Sequence, residues 1–158
     1  MKTLIDAASA KGVMIATAES CTGGMVAAAI TDTAGSSAIF DRGFVTYTNA
    51  AKMQMLGVSD KTLAAYGAVS EQVADEMARG AITHSDSQIA VSITGIAGPG
   101  GSEHKPEGRV CFGIATAGDC QTETVEFGAI GRENVRLRAR DHALALLLTA
   151  LDSIKHNN

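Results

Sequence analysis

Two short, nearly uninterrupted apolar runs constrain this chain most: Val13–Thr17 and Ile89–Thr94, both rich in β-branched residues. A strand with one solvated face alternates apolar and polar side chains. A continuous run has both faces covered, as in a parallel sheet packed between layers of helices. Each run stops in a loop rich in glycine and hydroxyl groups, Glu19–Gly24 and Thr94–Ser102. After the first loop, Met25–Thr33 reads as an Ala-rich helix ending at Gly35. Strand, tight polar turn and helix open an α/β unit.

The rest of the chain continues the alternation. The first eleven residues place Leu4, Ile5, Ala8 and Ala10 roughly on one helical face that ends at Gly12. Ile39–Thr48 predicts a strand interrupted at Asp41-Arg42-Gly43, and Ala50–Leu56 a helix stopped by Gly57. Ser59-Asp60 and Ser70-Glu71 are helix-start signals, because short polar side chains accept otherwise unpaired N–H groups. Gln72–Thr83 is the second of those helices. Arg109–Thr116 and Thr122–Phe127 predict a strand pair around Ala117-Gly118-Asp119. A long last helix carries Val135, Ala139, Ala143, Leu147, Ala150, Leu151 and Ile154 at i, i+3/i+4 spacing. The expected fold is α/β: a three-layer α/β/α sandwich on a mixed, mostly parallel sheet of about five strands. With 158 residues and no repeat or charge run dividing them, residues 1–158 read as one domain.

Composition narrows the function. Seventeen acidic against 13 basic side chains give a net charge of −4, which disfavours a broad basic face for nucleic acid. Aromatic residues are 4% of the chain with no Trp, which disfavours a base-stacking platform. The longest apolar stretch, around Ala143–Leu148, is far short of the roughly 20 residues that cross a bilayer. Three cysteines with no C-x-x-C pair, and no signal-like start, suggest a cytoplasmic setting. His84, His104, His142 and His156 are scattered without metal-ligand spacing, so neither a metal nor a cofactor is expected.

Open α/β sheets bind ligands beyond the carboxyl ends of their strands, where both Gly-rich loops fall. Their spacing matches neither a P-loop nor G-x-G-x-x-G, so glycine alone does not separate a ligand loop from a tight turn. Ser20, at the strand-to-helix turn, is the best-placed hydroxyl nucleophile, and equally a helix cap. Lys52 could accept its proton only if burial lowered the amine's pKa from about 10.4. From spacing alone it is also an ordinary solvated lysine. Tyr47 could hydrogen-bond either group or simply pack on a strand. Cys21 is a competing nucleophile beside a helix start, or a small buried residue. Arg132, Arg136 and Arg140 share one helix face that could meet a phosphate or remain solvated, partly paired with Glu133. Lys105, beside the second Gly-rich loop, is a further candidate phosphate partner, and His104, in the same polar loop, reads as a surface residue within reach of a ligand there.

Taken together, the motifs resemble a known family. Thr17-Ala18-Glu19-Ser20-Cys21-Thr22-Gly23-Gly24, Gly43-Phe44-Val45-Thr46-Tyr47-Thr48-Asn49 and Gly67-Ala68-Val69-Ser70-Glu71 are similar to the CinA C-terminal domain family. So are Ser92-Ile93-Thr94-Gly95-Ile96-Ala97-Gly98-Pro99-Gly100-Gly101 and Lys105-Pro106-Glu107-Gly108. The likeness runs in order from about Val13 to the last helix. It implies a three-layer α/β/α fold and hydrolysis of nicotinamide mononucleotide to nicotinic acid mononucleotide and ammonia. It also implies a Ser nucleophile with Lys and Tyr, which match Ser20, Lys52 and Tyr47. Backbone N–H groups around Thr22, Gly23 and Gly24 become candidates for an oxyanion hole. Thr94, Gly95, Ala97 and Gly98 would hold the ribose-phosphate, with Arg132 or Arg136 as charge partners. The expected partner is a small nucleotide, with neither nucleic acid nor membrane, in a homodimer or higher homo-oligomer. Two alternatives stand beside this reading: a nucleotide-binding or regulatory paralogue without turnover, and chemistry carried by Cys21. The chain has Thr48 and Ala50 where the family pattern often has Ser and an acidic residue.

Overall fold

The computed structural model describes residues 1–102 and 104–154, so His156 lies outside the described residues. Five strands form one sheet in the order β2-β1-β3-β4-β5. They are β1 (Ile15–Glu19), β2 (Phe40–Val45), β3 (Ile89–Gly95), β4 (Arg109–Thr116) and β5 (Asp119–Glu126). β1 pairs in parallel with both β2 and β3, while β3–β4 and β4–β5 are antiparallel. Only β4 therefore runs against the other strands, as the expected mixed sheet requires. The helices are α1 (Lys2–Lys11), α2 (Met25–Thr31), α3 (Asn49–Leu56), α4 (Asp60–Tyr66), α5 (Glu71–Thr83) and α6 (Arg132–Ser153).

The two apolar runs become the centre of the sheet, and their side chains divide between two cores. Ile15, Ile89, Val91 and Ile93 face α1, α2 and α6, where they meet Val26, Ile30, Leu147 and Leu151. Ala16, Ala18 and Ala90 face the opposite layer and pack on Leu56, Val73 and Met77 from α3 and α5. Small residues on this second face let α5 come close: a Cβ on Gly113 would meet the Ala74 carbonyl oxygen at 2.6 Å. On α6, Val135, Ala139, Ala143, Leu147 and Leu151 are all fully buried. Burying one Leu or Ile side chain contributes about 1.5–3 kcal/mol, so this stripe anchors the long helix to the sheet.

The differences from the sequence reading have local causes. β1 begins at Ile15 rather than Val13, because the Val13 N–H is donated to Ala8 O and completes the end of α1. Asp41-Arg42-Gly43 does not interrupt β2. Ile15 pairs with Phe40 and Ala16 with Arg42, so Asp41 is an extra, bulged residue on an edge strand. α2 ends at Thr31, two residues early, where the threonine hydroxyl bonds back to Ala27 O. Ser70 caps α5 by accepting from Val73 N, but Ser59 makes no side-chain cap bond on α4. β5 begins at Asp119, opposite Thr116, leaving Ala117-Gly118 as a two-residue hairpin turn. Among the described residues, no helix is long and apolar enough to cross a membrane.

Candidate active site

Ser20 lies immediately beyond the carboxyl end of β1, with its N–H donated to Ile93 O of β3. The loop after it is fixed from two sides. Glu19, fully buried at the last position of β1, accepts from the N–H groups of Val26 (2.9 Å) and Ala27 (3.0 Å). It therefore caps the first turn of α2, whose preceding residue, Gly24, sits at φ 103°. Arg136 reaches down from α6 and donates to Cys21 O at 3.0 Å and Thr22 O at 3.3 Å.

Lys52 completes the constellation. Thr48 caps α3 by accepting from Ala51 N, a bond that needs only a β-hydroxyl. From the body of α3 the Lys52 Nζ stands 3.0 Å from Ser20 Oγ and 2.9 Å from Thr46 O. The side chain is only 1% exposed. Burial pushes its amine down from 10.5 to about 8, since an ammonium loses hydration there that two neutral oxygens replace incompletely. At pH 7 about a tenth of Lys52 is thus a free amine beside a serine hydroxyl, far more than an unshifted lysine would supply, and that is the arrangement that activates a hydroxyl nucleophile. Cys21 is the opposite case. Burial above all pushes its thiol up to about 11, which withholds the thiolate that cysteine chemistry needs.

These groups line a cavity of about 170 Å³ together with Asn49, Ala68, Val69, Thr94 and Ala97. Tyr47 lines it too, but differs from expectation. It is 59% exposed, and its hydroxyl accepts from Arg132 Nη2 at 2.9 Å rather than bonding Lys52 or Ser20. Arg132 also donates to Gly98 O at 2.7 Å, bridging the loop after β2 and the loop after β3. The arginine face therefore divides: Arg132 and Arg136 turn to the two site loops, whereas Arg140 pairs with Asp141. None of the three pairs with Glu133 among the described residues. The Gly23 N–H is already donated to Ser20 O, which removes it from the oxyanion donors expected at Thr22, Gly23 and Gly24. Thr94 directs its hydroxyl to Ala68 O, and Gly95 lies on the cavity wall. The Lys105 ammonium donates to Tyr66 O and Val69 O, which commits it to the loop between α4 and α5. His104, in its exposed turn, is not on the wall of this cavity.

Sequence reasoning assigned no role to Glu19, Asn49, Ala68 or Val69. All four lay inside recognised motifs, but their roles depend on contacts made across the fold. A larger open cavity of about 820 Å³ lies between α5 and β4–β5, where Glu71, Asp75, Glu76 and Glu126 make it predominantly acidic.

The family model of the CinA C-terminal domain matches residues 1–151. This chain belongs to that family. Within it, the chain is 56% identical over 147 residues to a nicotinamide-nucleotide amidohydrolase PncC of Enterobacter agglomerans, covering 92% of this chain and 87% of that protein. A protein of the same name from Escherichia coli K12 is 56% identical over 143 residues, 89% of this chain and 86% of that protein. Among CinA-family structures, a competence/damage inducible protein from Agrobacterium tumefaciens superposes with a TM-score of 0.91 at 48% identity. It covers 96% of this chain and 93% of that one. A CinA superfamily protein from Escherichia coli gives 0.89 at 40% identity, covering 93% and 88%.

Proposed function

We propose that this CinA-family chain is a nicotinamide-nucleotide amidohydrolase, releasing ammonia from nicotinamide mononucleotide to leave nicotinic acid mononucleotide. The reading rests on one observation above the others: a buried Lys52 amine 3.0 Å from the Ser20 hydroxyl. Its kinship with amidohydrolases of that name gives the substrate.

The pyridine ring enters the cavity between Ala68, Val69 and Ala97, which brings its carboxamide to Ser20. Lys52, as free amine, accepts the Ser20 proton while Oγ forms a bond to the amide carbon. The oxygen then carries negative charge, and the Cys21 and Thr22 N–H groups at the start of the loop are its donors. As the tetrahedral intermediate collapses, the C–N bond breaks and Lys52 returns its proton to the nitrogen, which leaves as ammonia. Water attacks the nicotinoyl ester with Lys52 again accepting a proton. The C–Oγ bond breaks and the proton goes back to Ser20. Thr46 O holds the Lys52 nitrogen in place through both halves.

The ribose-phosphate extends along Thr94, Gly95, Ala97 and Gly98 toward Arg132, whose guanidinium has donors beyond the two already used. Tyr47 serves here by placing Arg132, through its hydroxyl. The acidic groove beside α5 would repel a phosphate dianion and is not part of this path. An ammonia-release assay on nicotinamide mononucleotide tests the proposal. Turnover by the wild type, with Ser20→Ala and Lys52→Ala each near background, supports it. Tight nucleotide binding without ammonia would replace it with a binding or regulatory role.

A further inference from the structure

The Lys105-Pro106-Glu107-Gly108 motif has no part in the chemistry above, yet it is built as carefully as the site. Ser102 and Lys105 exchange two backbone hydrogen bonds, Lys105 N to Ser102 O at 2.8 Å and Ser102 N to Lys105 O at 3.1 Å. No room is left for a Cβ on Gly101, which abuts the Lys105 carbonyl oxygen. This closed turn aims the Lys105 side chain at the loop between α4 and α5. Its Nζ donates to Tyr66 O and to Val69 O, each at 2.6 Å. Between those two acceptors, Gly67 O accepts from Ser70 Oγ at 2.9 Å and Ala68 O from Thr94 Oγ1 at 2.8 Å. Four consecutive carbonyls, from residues 66 to 69, are thus each held by a side chain. Tyr66 also ends α4, where carbonyls lack helical partners and the helix dipole favours a cation.

We propose that Lys105 is a positioning residue for the Ser20 cavity, its ammonium holding the 66–69 loop so that Ala68 and Val69 form a fixed wall for the pyridine ring. The idea deepens the proposed function and rests on it for the identity of the ligand. Charge-assisted bonds of this kind are the stronger class, and a wall ordered before binding spares the complex the entropy of ordering it. Lys105 touches neither Ser20 nor Lys52, so its loss weakens binding and leaves the proton transfers intact.

The test is Lys105→Met, with Lys105→Gln as a milder variant that keeps an N–H donor. Two readouts apply: ammonia release from nicotinamide mononucleotide, and Ser20 labelling by phenylmethanesulfonyl fluoride at a series of concentrations. The expected result for Lys105→Met is a rise of about tenfold in KM and in the half-saturating labelling concentration, with kcat and the limiting labelling rate within twofold. Lys105→Gln falls between it and the wild type. A purely structural role would lower Tm and the active fraction without moving KM. Unchanged KM and half-saturation in both variants, with or without a fall in Tm, overturn the proposal. A wild type that is labelled at Ser20 but releases no ammonia defeats the proposed function instead, and the labelling comparison still decides the role of Lys105.

Discussion

Replacing Lys52 by methionine should stabilise the protein while abolishing its chemistry. The substitution keeps the length of the apolar stem and removes a buried ionisable amine. With the amine pushed from 10.5 to about 8, holding it protonated at pH 7 costs about 3 kcal/mol relative to the unfolded chain. The variant also forfeits bonds to Ser20 Oγ and Thr46 O, each with a net worth of about 1 kcal/mol. The balance is a gain of about 1 kcal/mol at pH 7, or a Tm rise of about 2–4 °C for a domain of this size. The sign with pH follows from proton counting. Between pH 8 and 10.5 the folded wild type binds fewer protons at this site than the unfolded chain, so its stability rises with pH there. By pH 9.5 the residual cost of the amine is about 1 kcal/mol, and the advantage of the methionine variant has vanished or reversed. Thermal unfolding of both proteins at pH 7 and pH 9.5, followed by circular dichroism, measures the difference. A Tm gap that is the same at both pH values, or a variant already less stable at pH 7, would refute the reasoning.

Three further outcomes follow from the geometry. Cys21→Ala should retain ammonia release within about threefold, because a thiol held up near 11 supplies little thiolate at pH 7; complete loss would move the chemistry from Ser20 to Cys21. Gly98→Ala should lose about 2 kcal/mol in denaturant unfolding, since φ is +90° and a Cβ would run into the Glu107 carboxylate. Adding Glu107→Ala to it should recover part of that loss by removing the clash but not the backbone strain, and strict additivity would contradict the contact. Ser70→Ala removes both the α5 cap and the bond to Gly67 O, so Tm should fall by about 3 °C; an unchanged Tm would show that the hydroxyl is idle.

What could be read from the sequence, and what could not, divides by the range of the interactions. Ile15, Val91 and Ile93 announce a sheet covered on both faces because burial leaves no room for polar alternation, and α6 announces its stripe through a four-residue repeat. Both signals are local. The bulge at Asp41 was not visible, because a polar triplet on an edge strand looks the same as a break. The start of β1 was displaced because Val13 is committed to the end of α1, a bond that its apolar character does not reveal. At the site, Ser20 and Lys52 stood out by motif, but their 3.0 Å approach depends on α3 folding back beyond the end of β1. Arg132, Arg136 and Arg140 looked equivalent at equal spacing. Only the positions of Gly98 and Cys21 in space separate two loop-binding arginines from Arg140, which pairs with its sequence neighbour Asp141. The hold of Lys105 on the carbonyls of Tyr66 and Val69 is not visible in the sequence, where a cation beside a Gly-rich loop suggests phosphate instead.

The account depends on a free amine at Lys52 withdrawing the Ser20 proton, and the pH dependence of kcat/KM for ammonia release interrogates that directly. The predicted profile rises tenfold per pH unit below about 8 and levels above it, following the amine lowered from 10.5 to about 8 by burial. A profile flat from pH 6 to 9, or one whose rise is complete near pH 6, would contradict it.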